Sequence, residues 1–320
     1  MPCIITHSVP SCTPLGFKPF FCNPAKPSFI GQFMSLSFFL FIALIPVLVL
    51  LLGALIPLAG CLVSVAINIR YGQMRKAVSR AGISSSSLIL RTMASSLLGF
   101  FFSLLTCLLP SGHGLHPAPG SGSHLTRQRS IVCIHGLYHN RRAWFFYRRW
   151  LRKAGFSTIY TWSYPSFGRD FQSLSKNLTR DLRQLAQFQP EHKMVLIGHS
   201  LGGLLIKSAL KHTDLAERIE LVVSLATPHQ GSLLAGLALG GLGRSLKFGT
   251  ICIRSLSTLD PQPGPVKVNI HAPLDNMVAP VSALQPLEGG WQEILTPPLG
   301  HVSLLFHRPT ARLVEKFISS

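Results

Sequence analysis

The stretch VLIGHSLGGLL (195–205) sets Ser200 between Gly198 and Gly202, at the end of an apolar run and the start of a helical pattern. A serine hydroxyl attacks a carbonyl only with help: a base to take its proton, a carboxylate to orient that base, and N–H donors for the oxyanion. The spacing Gly-x-Ser-x-Gly suits such a task. The two glycines leave space for a sharp strand-to-helix turn that presents the serine, and the helix N-terminus offers unpaired N–H groups to developing negative charge. Gly and Ser are also abundant in ordinary turns, so the other parts must be found in a workable order.

IVCIHGLYHN (131–140) reads as an early strand ending in His135-Gly136. The N–H of Leu137 would join that of Leu201 as the two oxyanion donors, each typically worth ~3 kcal/mol of transition-state stabilisation. If the chain order is serine, acid, histidine, the acid comes from Asp260, Asp275, Glu288 or Glu293. Asp260 precedes a strand rather than following it, and the two glutamates flank or occupy the last strand. Asp275, directly after the strand in VNIHAPLDNMVAP, is the preferred acid. Only His301 and His307 follow it; His301, after Gly300 in the loop past the last strand, is preferred to the more deeply apolar His307. Among the other histidines, His199 and His229 are expected to hydrogen-bond around the motifs and His135 to brace its own loop. His113, His116 and His124 are expected to be exposed.

The elements that position these groups follow from periodicity. Apolar strands at 130–134, 157–162, 193–198, 219–225, 265–270 and 291–295 alternate with helical patterns at 141–154, 170–188, 201–212 and 308–318. This predicts an α/β fold: a mostly parallel sheet with helices on both faces.

Charge divides the chain. All 11 carboxylates lie between Asp170 and Glu315, whereas residues 1–169 carry 16 of the 30 Lys and Arg and no acid. Nucleic acid is one partner for such an excess, but no zinc-finger spacing, RNA-binding motif or basic zipper is present, and no nucleic-acid partner is expected. Instead, two apolar segments, about 36–69 and 92–110, are long enough for a bilayer. The first is too long for one straight span, and Pro46, Pro57 and Gly60 are expected to kink it or divide it. Arg70, Arg75, Lys76, Arg80 and Arg91 between them favour the cytoplasmic side, which would place the C-terminal part of the chain on the extracytoplasmic side; Arg127 and Arg129 weaken that inference. The 7 cysteines form neither a CxxC pair nor a metal-ligand cluster.

The expected domains are therefore 1–33, unstructured or not translated, with Met34 as the real start; a membrane-anchor region, 34–110; a Gly/Pro/Ser/His-rich flexible linker, 111–129; and a catalytic domain, 130–320.

Taken together, IHGLYHN, GHSLGG, SLATPHQGS (224–232), LDNMVAP and LGHVSLL resemble the α/β-hydrolase superfamily, specifically its bacterial serine lipases and esterases, over residues 130–318. The resemblance implies Ser200 as nucleophile, His301 as general base, Asp275 as its orienting carboxylate, Leu137 and Leu201 as oxyanion amides, and neither cofactor nor metal. It implies hydrolysis of lipophilic esters through an acyl-enzyme, with lipophilic ester and membrane lipid as partners and a bacterial inner membrane as location. An acyltransferase or thioesterase would use the same triad, and a non-catalytic membrane adaptor is the rival from another class. Two further segments bear on substrate. Residues 231–256 stand where a lid or acyl-binding wall is expected in that pattern. On a helical wheel, 141–154 separates Arg141, Arg142, Arg148, Arg149, Arg152 and Lys153 from an aromatic half. The aromatic half suits packing on a sheet; the basic half, with Phe145 in its midst, suits anionic headgroups.

Overall fold

The computed structural model describes residues 29–107, 111–117, 129–257 and 264–320. The expectations for residues 1–28, for most of the linker and for Asp260 lie outside the described residues. The chain divides into two units, residues 1–50 and 51–320. In the first, residues 29–50 are helical, and Phe38, Phe39, Phe41 and Leu44 are exposed.

Helix α1 is assigned over Phe29–Arg70, so neither Pro46 nor Pro57 ends it. In the second unit its residues 51–70 are followed by α2 (Met74–Ala81), closed by Gly82 in the left-handed region, and α3 (Ser85–Cys107). The sheet then begins with β1 (Gly114–Pro117), β2 (Arg129–Ile134), β3 (Ile159–Ser163) and β4 (Lys193–His199). It continues with β5 (Ile219–Leu225), β6 (Val266–His271) and β7 (Trp291–Leu295). The strand order is β1-β3-β2-β4-β5-β6-β7; β1 runs antiparallel to β3 and every other pair is parallel. Except for its first residue, β4 is buried throughout, as a central strand covered on both faces must be.

The remaining helices are α4 (Phe145–Lys153), α5 (Phe171–Phe188), α6 (Leu201–Ala209), α7 (Thr213–Ala216), α8 (Gly240–Ser245), α9 (Ile251–Ser257) and α10 (Arg308–Ser319). Asp170 caps α5, its carboxylate accepting from the Ser173 N–H at 2.8 Å. One core forms where alternate strand residues such as Ile131, Val195 and Val223 meet Tyr147 and Leu151 of α4 and Val314 of α10. The opposite strand faces, with Val132, Leu196 and Val222, meet Leu178 of α5, Leu204 of α6 and Leu256 of α9.

One expectation is corrected. Residues 114–117, assigned to a flexible linker, form β1, whose Leu115 and His116 pair with Trp162 and Thr161; His116 is accordingly half-buried rather than exposed. Backbone pairing to an open sheet edge outweighs the weak strand propensity of Gly and Pro. The segment between the apolar helices also meets the sheet. Arg80 of α2, between the two apolar segments, makes a two-pronged contact with Glu293 of β7, Nη1–Oε1 2.9 Å and Nη2–Oε2 3.1 Å. This contact joins the segment between the two apolar helices to the last strand of the sheet. Among the described residues two helical stretches are long and apolar enough to cross a membrane by length and composition, Gly53–Arg70 and Ser85–Thr106, with 22% of each buried.

Candidate active site

Ser200 stands between β4 and α6 with φ 54° and ψ −122°, a conformation L-residues rarely adopt. Such strain persists where neighbours over-determine it. Here the Ser200 N–H donates to the Leu225 carbonyl of β5 at 2.9 Å, and the Ser200 carbonyl accepts from Gly203 at 3.0 Å. Leu201 is the first residue of α6 and fully buried, so its N–H sits among the unpaired donors of a helix N-terminus. The loop after β2 lies against the same turn. A side chain at Gly136 would meet the Ser200 Cβ and the His199 Nδ1 at 2.9 Å each, so this position accepts only glycine. The next residue is Leu137, the other expected oxyanion donor.

Asp275 and His301 are brought together. The His301 Nδ1–H donates to Asp275 Oδ2 at 2.9 Å, with Asp275 fully buried and His301 nearly so. The other carboxylate oxygen, Oδ1, accepts from the N–H groups of Met277 (2.7 Å) and Val278 (2.8 Å), which fixes the carboxylate plane. A proton held on Nδ1 leaves Nε2 of His301 with a free lone pair, the state a general base requires. The residue before Ser200 reaches the His301 loop, since the His199 Nε2–H donates to the His301 carbonyl at 3.1 Å.

The alternatives are occupied elsewhere. Glu288 is buried in an ion pair with Lys207. Glu293 is bound by Arg80 and by His271 Nε2 at 2.7 Å; the His271 contact, followed by Gln285 and Arg80, lowers its carboxyl below the usual range. His307 Nδ1 pairs with Thr310 Oγ1 at 2.8 Å at the start of α10.

The flanking histidines are neutral braces. His135 donates from Nδ1 to the Gly136 carbonyl at 2.8 Å, accepts at Nε2 from the Tyr164 N–H at 3.2 Å, and stacks on the Tyr164 ring at 4.2 Å. Burial pushes its pKa down to about 3. His229 Nε2 lies 3.2 Å from Ser224 Oγ and 3.3 Å from Asn269 Oδ1. His139, which sequence reasoning passed over, is half-buried, its pKa is lowered by desolvation to about 4, and its Nε2 lies 3.0 Å from Ser103 Oγ of α3. Its only sequence signal was its place four residues after His135.

Residues 231–256 connect two of these loops. Tyr138 OH, beside Leu137, donates to the Leu239 carbonyl at 2.6 Å, while Ser232 Oγ donates to the Met277 carbonyl at 2.9 Å and accepts from the Ala279 N–H at 3.1 Å. The rim so formed exposes Tyr138, Phe167, Leu237, Leu239 and Met277. Among the described residues no three His, Cys, Asp or Glu gather as a metal site.

A strained serine between strand and helix, beside a buried histidine–aspartate pair on loops of a parallel sheet, is the arrangement of one fold class. The Alpha/beta hydrolase family profile matches residues 131–315, more than half of the chain, and the chain belongs to that family. Among solved structures it is similar to the Bacillus licheniformis lipase BlEst2 in mature form, with 20% identity and a TM-score of 0.50 over 63% of this chain and 94% of that one. It is also similar to Aspergillus fumigatus lipase B, with 14% identity and a TM-score of 0.50 over 66% of this chain and 62% of that one. Likeness at this identity shows the fold. No curated protein sequence matches the chain.

Proposed function

We propose that the chain is a membrane-bound serine carboxylester hydrolase acting on lipophilic esters. The observation that carries this reading is the combination of Ser200 in a left-handed strand-to-helix turn with a buried His301–Asp275 hydrogen bond of 2.9 Å on adjoining loops. In this reading His301 Nε2 takes the Ser200 proton as Oγ attacks the ester carbonyl. The N–H groups of Leu137 and Leu201 receive the negative oxygen, and the imidazolium returns its proton to the leaving alcohol. Water, deprotonated by His301, then attacks the acyl-enzyme. Asp275 holds the imidazole in the required tautomer throughout.

A lipophilic acyl group is supported by the rim of exposed large side chains near Leu137, among them Phe167 and Leu239, the latter 71% exposed. The outward faces of α1 and α3, with Leu55, Ile56, Leu62, Leu98 and Leu105 exposed, suit lipid in the same way. In this reading the contact between Arg80 and Glu293 supports a common side for the sheet and the five basic residues at 70–91, for which the cytoplasmic side is favoured.

The test uses the full chain in detergent. Wild type and Ser200→Ala are treated with a fluorescent fluorophosphonate and assayed on p-nitrophenyl esters of short to long acyl chain. Labelling that vanishes in the variant, with turnover rising toward long chains, is expected. A folded wild type that neither labels nor hydrolyses would overturn the reading in favour of a non-catalytic adaptor.

A further inference from the structure

The two apolar helices of the 51–320 unit carry polar and small residues along one side. On α1 these are Ser64 and Asn68, one turn apart and both fully buried. On α3 they include Ser95, Gly99 and Ser103, at spacings of four that keep one face. An anchor whose role is only to sit in lipid has no use for such a stripe, because a buried hydroxyl or amide costs stability unless it is paired. Ser64, Asn68, Ser95 and Ser103 each make at least one hydrogen bond to a loop of the candidate site.

Ser64 Oγ donates to the backbone carbonyl of Asp275 at 2.5 Å. Asn68 Oδ1 accepts from the Val281 N–H at 2.8 Å, while its Nδ2 donates to the Ser64 carbonyl, also at 2.8 Å. One turn of α1 therefore grips the acid loop at both ends. Ser95 of α3 brackets the base in the same way: its Oγ accepts from the Gly300 N–H at 3.1 Å and its carbonyl accepts from Ser303 Oγ at 2.6 Å, on either side of His301. The loop lies flat on the helix, since a side chain at Gly300 would collide with the Ser96 backbone. Further along α3, Ser103 meets His139 of the oxyanion loop at 3.0 Å. Three loops that carry different parts of the chemistry are thus referenced to one pair of helices. No reacting atom is touched.

We propose that Ser64, Asn68 and Ser95 are positioning residues: the apolar helix pair sets the spacing of the Asp275 and His301 loops, and so is part of the catalytic apparatus rather than a detachable anchor. The inference rests on the proposed Ser200–His301–Asp275 triad. Displacing a catalytic group by a fraction of an ångström costs rate and leaves substrate affinity nearly untouched, which separates positioning from a general loss of fold.

The experiment uses the full chain in detergent, with Ser64→Ala, Ser95→Ala and Ser95→Thr beside wild type and Ser200→Ala. The expected result is a loss in kcat of about tenfold for each alanine variant, with KM within about twofold and a matching fall in the rate of fluorophosphonate labelling. Ser95→Thr, which keeps the hydroxyl at a half-buried position, is expected to recover most of the rate. Thermal melts establish that each variant is folded. If Ser64→Ala shows no cooperative melt, the Ser95 pair decides the matter. Unchanged kcat in folded alanine variants, a loss confined to KM, or a threonine variant as slow as alanine would each overturn the proposal while leaving the triad intact. A wild type that fails to label overturns the triad reading itself, a separate outcome.

Discussion

The side chain of Asn276 holds the backbone of His301: its Oδ1 accepts from the His301 N–H at 2.8 Å. The residue after the proposed acid thus fixes the main chain of the proposed base, and the two loops form one hydrogen-bonded assembly. Asn276→Ala is expected to lower kcat/KM about tenfold and to lower the melting temperature, because a buried N–H is left unpaired at a cost of ~1–3 kcal/mol. Steady-state kinetics and a thermal melt on one preparation check both effects.

The assignment of the acid is tested by two neutralising substitutions. Asp275→Asn removes the acceptor that fixes the His301 tautomer, and kcat is expected to fall by about 10⁴-fold. Glu293→Gln weakens the contacts to Arg80 and His271 but touches no catalytic group, so it is expected to lower the melting temperature and leave kcat within about threefold, as for a partly exposed ion pair. The reverse pattern would exchange their roles.

Acid is expected to destabilise the fold through histidines withdrawn from water. His135 and His139 have pKa values of about 3 and about 4, below the ordinary 6.5, with burial as the main cause in each. Between these values and 6.5 the unfolded chain binds protons that the folded chain does not. Stability is therefore full above pH 6.5 and declines as pH falls toward 4 and then 3. Melts at pH 7.5, 6.5, 5.5 and 4.5 are expected to show this decline, and His139→Gln, which cannot take up a proton, to show a shallower one.

The apolar rim is expected to select long acyl chains. Leu239→Ser and Phe167→Ser should raise KM for a long-chain p-nitrophenyl ester several-fold, about 1–2 kcal/mol of lost apolar contact, with short-chain esters nearly unaffected. Equal effects on both would make the rim structural.

The proposed membrane location and its side are open to a direct assay. Reporter fusions at Ser320 in a bacterial host are expected to give a fluorescent green fluorescent protein and an inactive alkaline phosphatase, as for a cytoplasmic C-terminus. An active phosphatase would reverse the orientation.

The sheet was legible because alternation and β-branched runs mark each parallel strand; 219–225 and 291–295 match β5 and β7 residue for residue. The strand-to-helix serine was legible because few other local structures use glycines at that spacing. Asp275 and His301 followed from chain order alone, and the 2.9 Å contact joins residues 26 positions apart. β1 was hidden because GLHP has no strand signature of its own and gains its structure from the partner β3. The packing of α1 and α3 was hidden for a different reason. A hydropathy reading averages over a helix, and a few serines and one asparagine scarcely alter the mean, although their spacing already described a face.

Both ends of the sheet also bear on how this chain avoids its own kind. At one end, β1 is four residues long and closes in Pro117, which has no N–H to offer a newcomer. At the other, β7 carries Glu293 at its centre, held by Arg80. A strand approaching either border from another molecule meets a missing donor or a charge. For a chain this rich in exposed apolar helix, clumping during synthesis is then a matter of the helices alone, and the sheet adds no template to it.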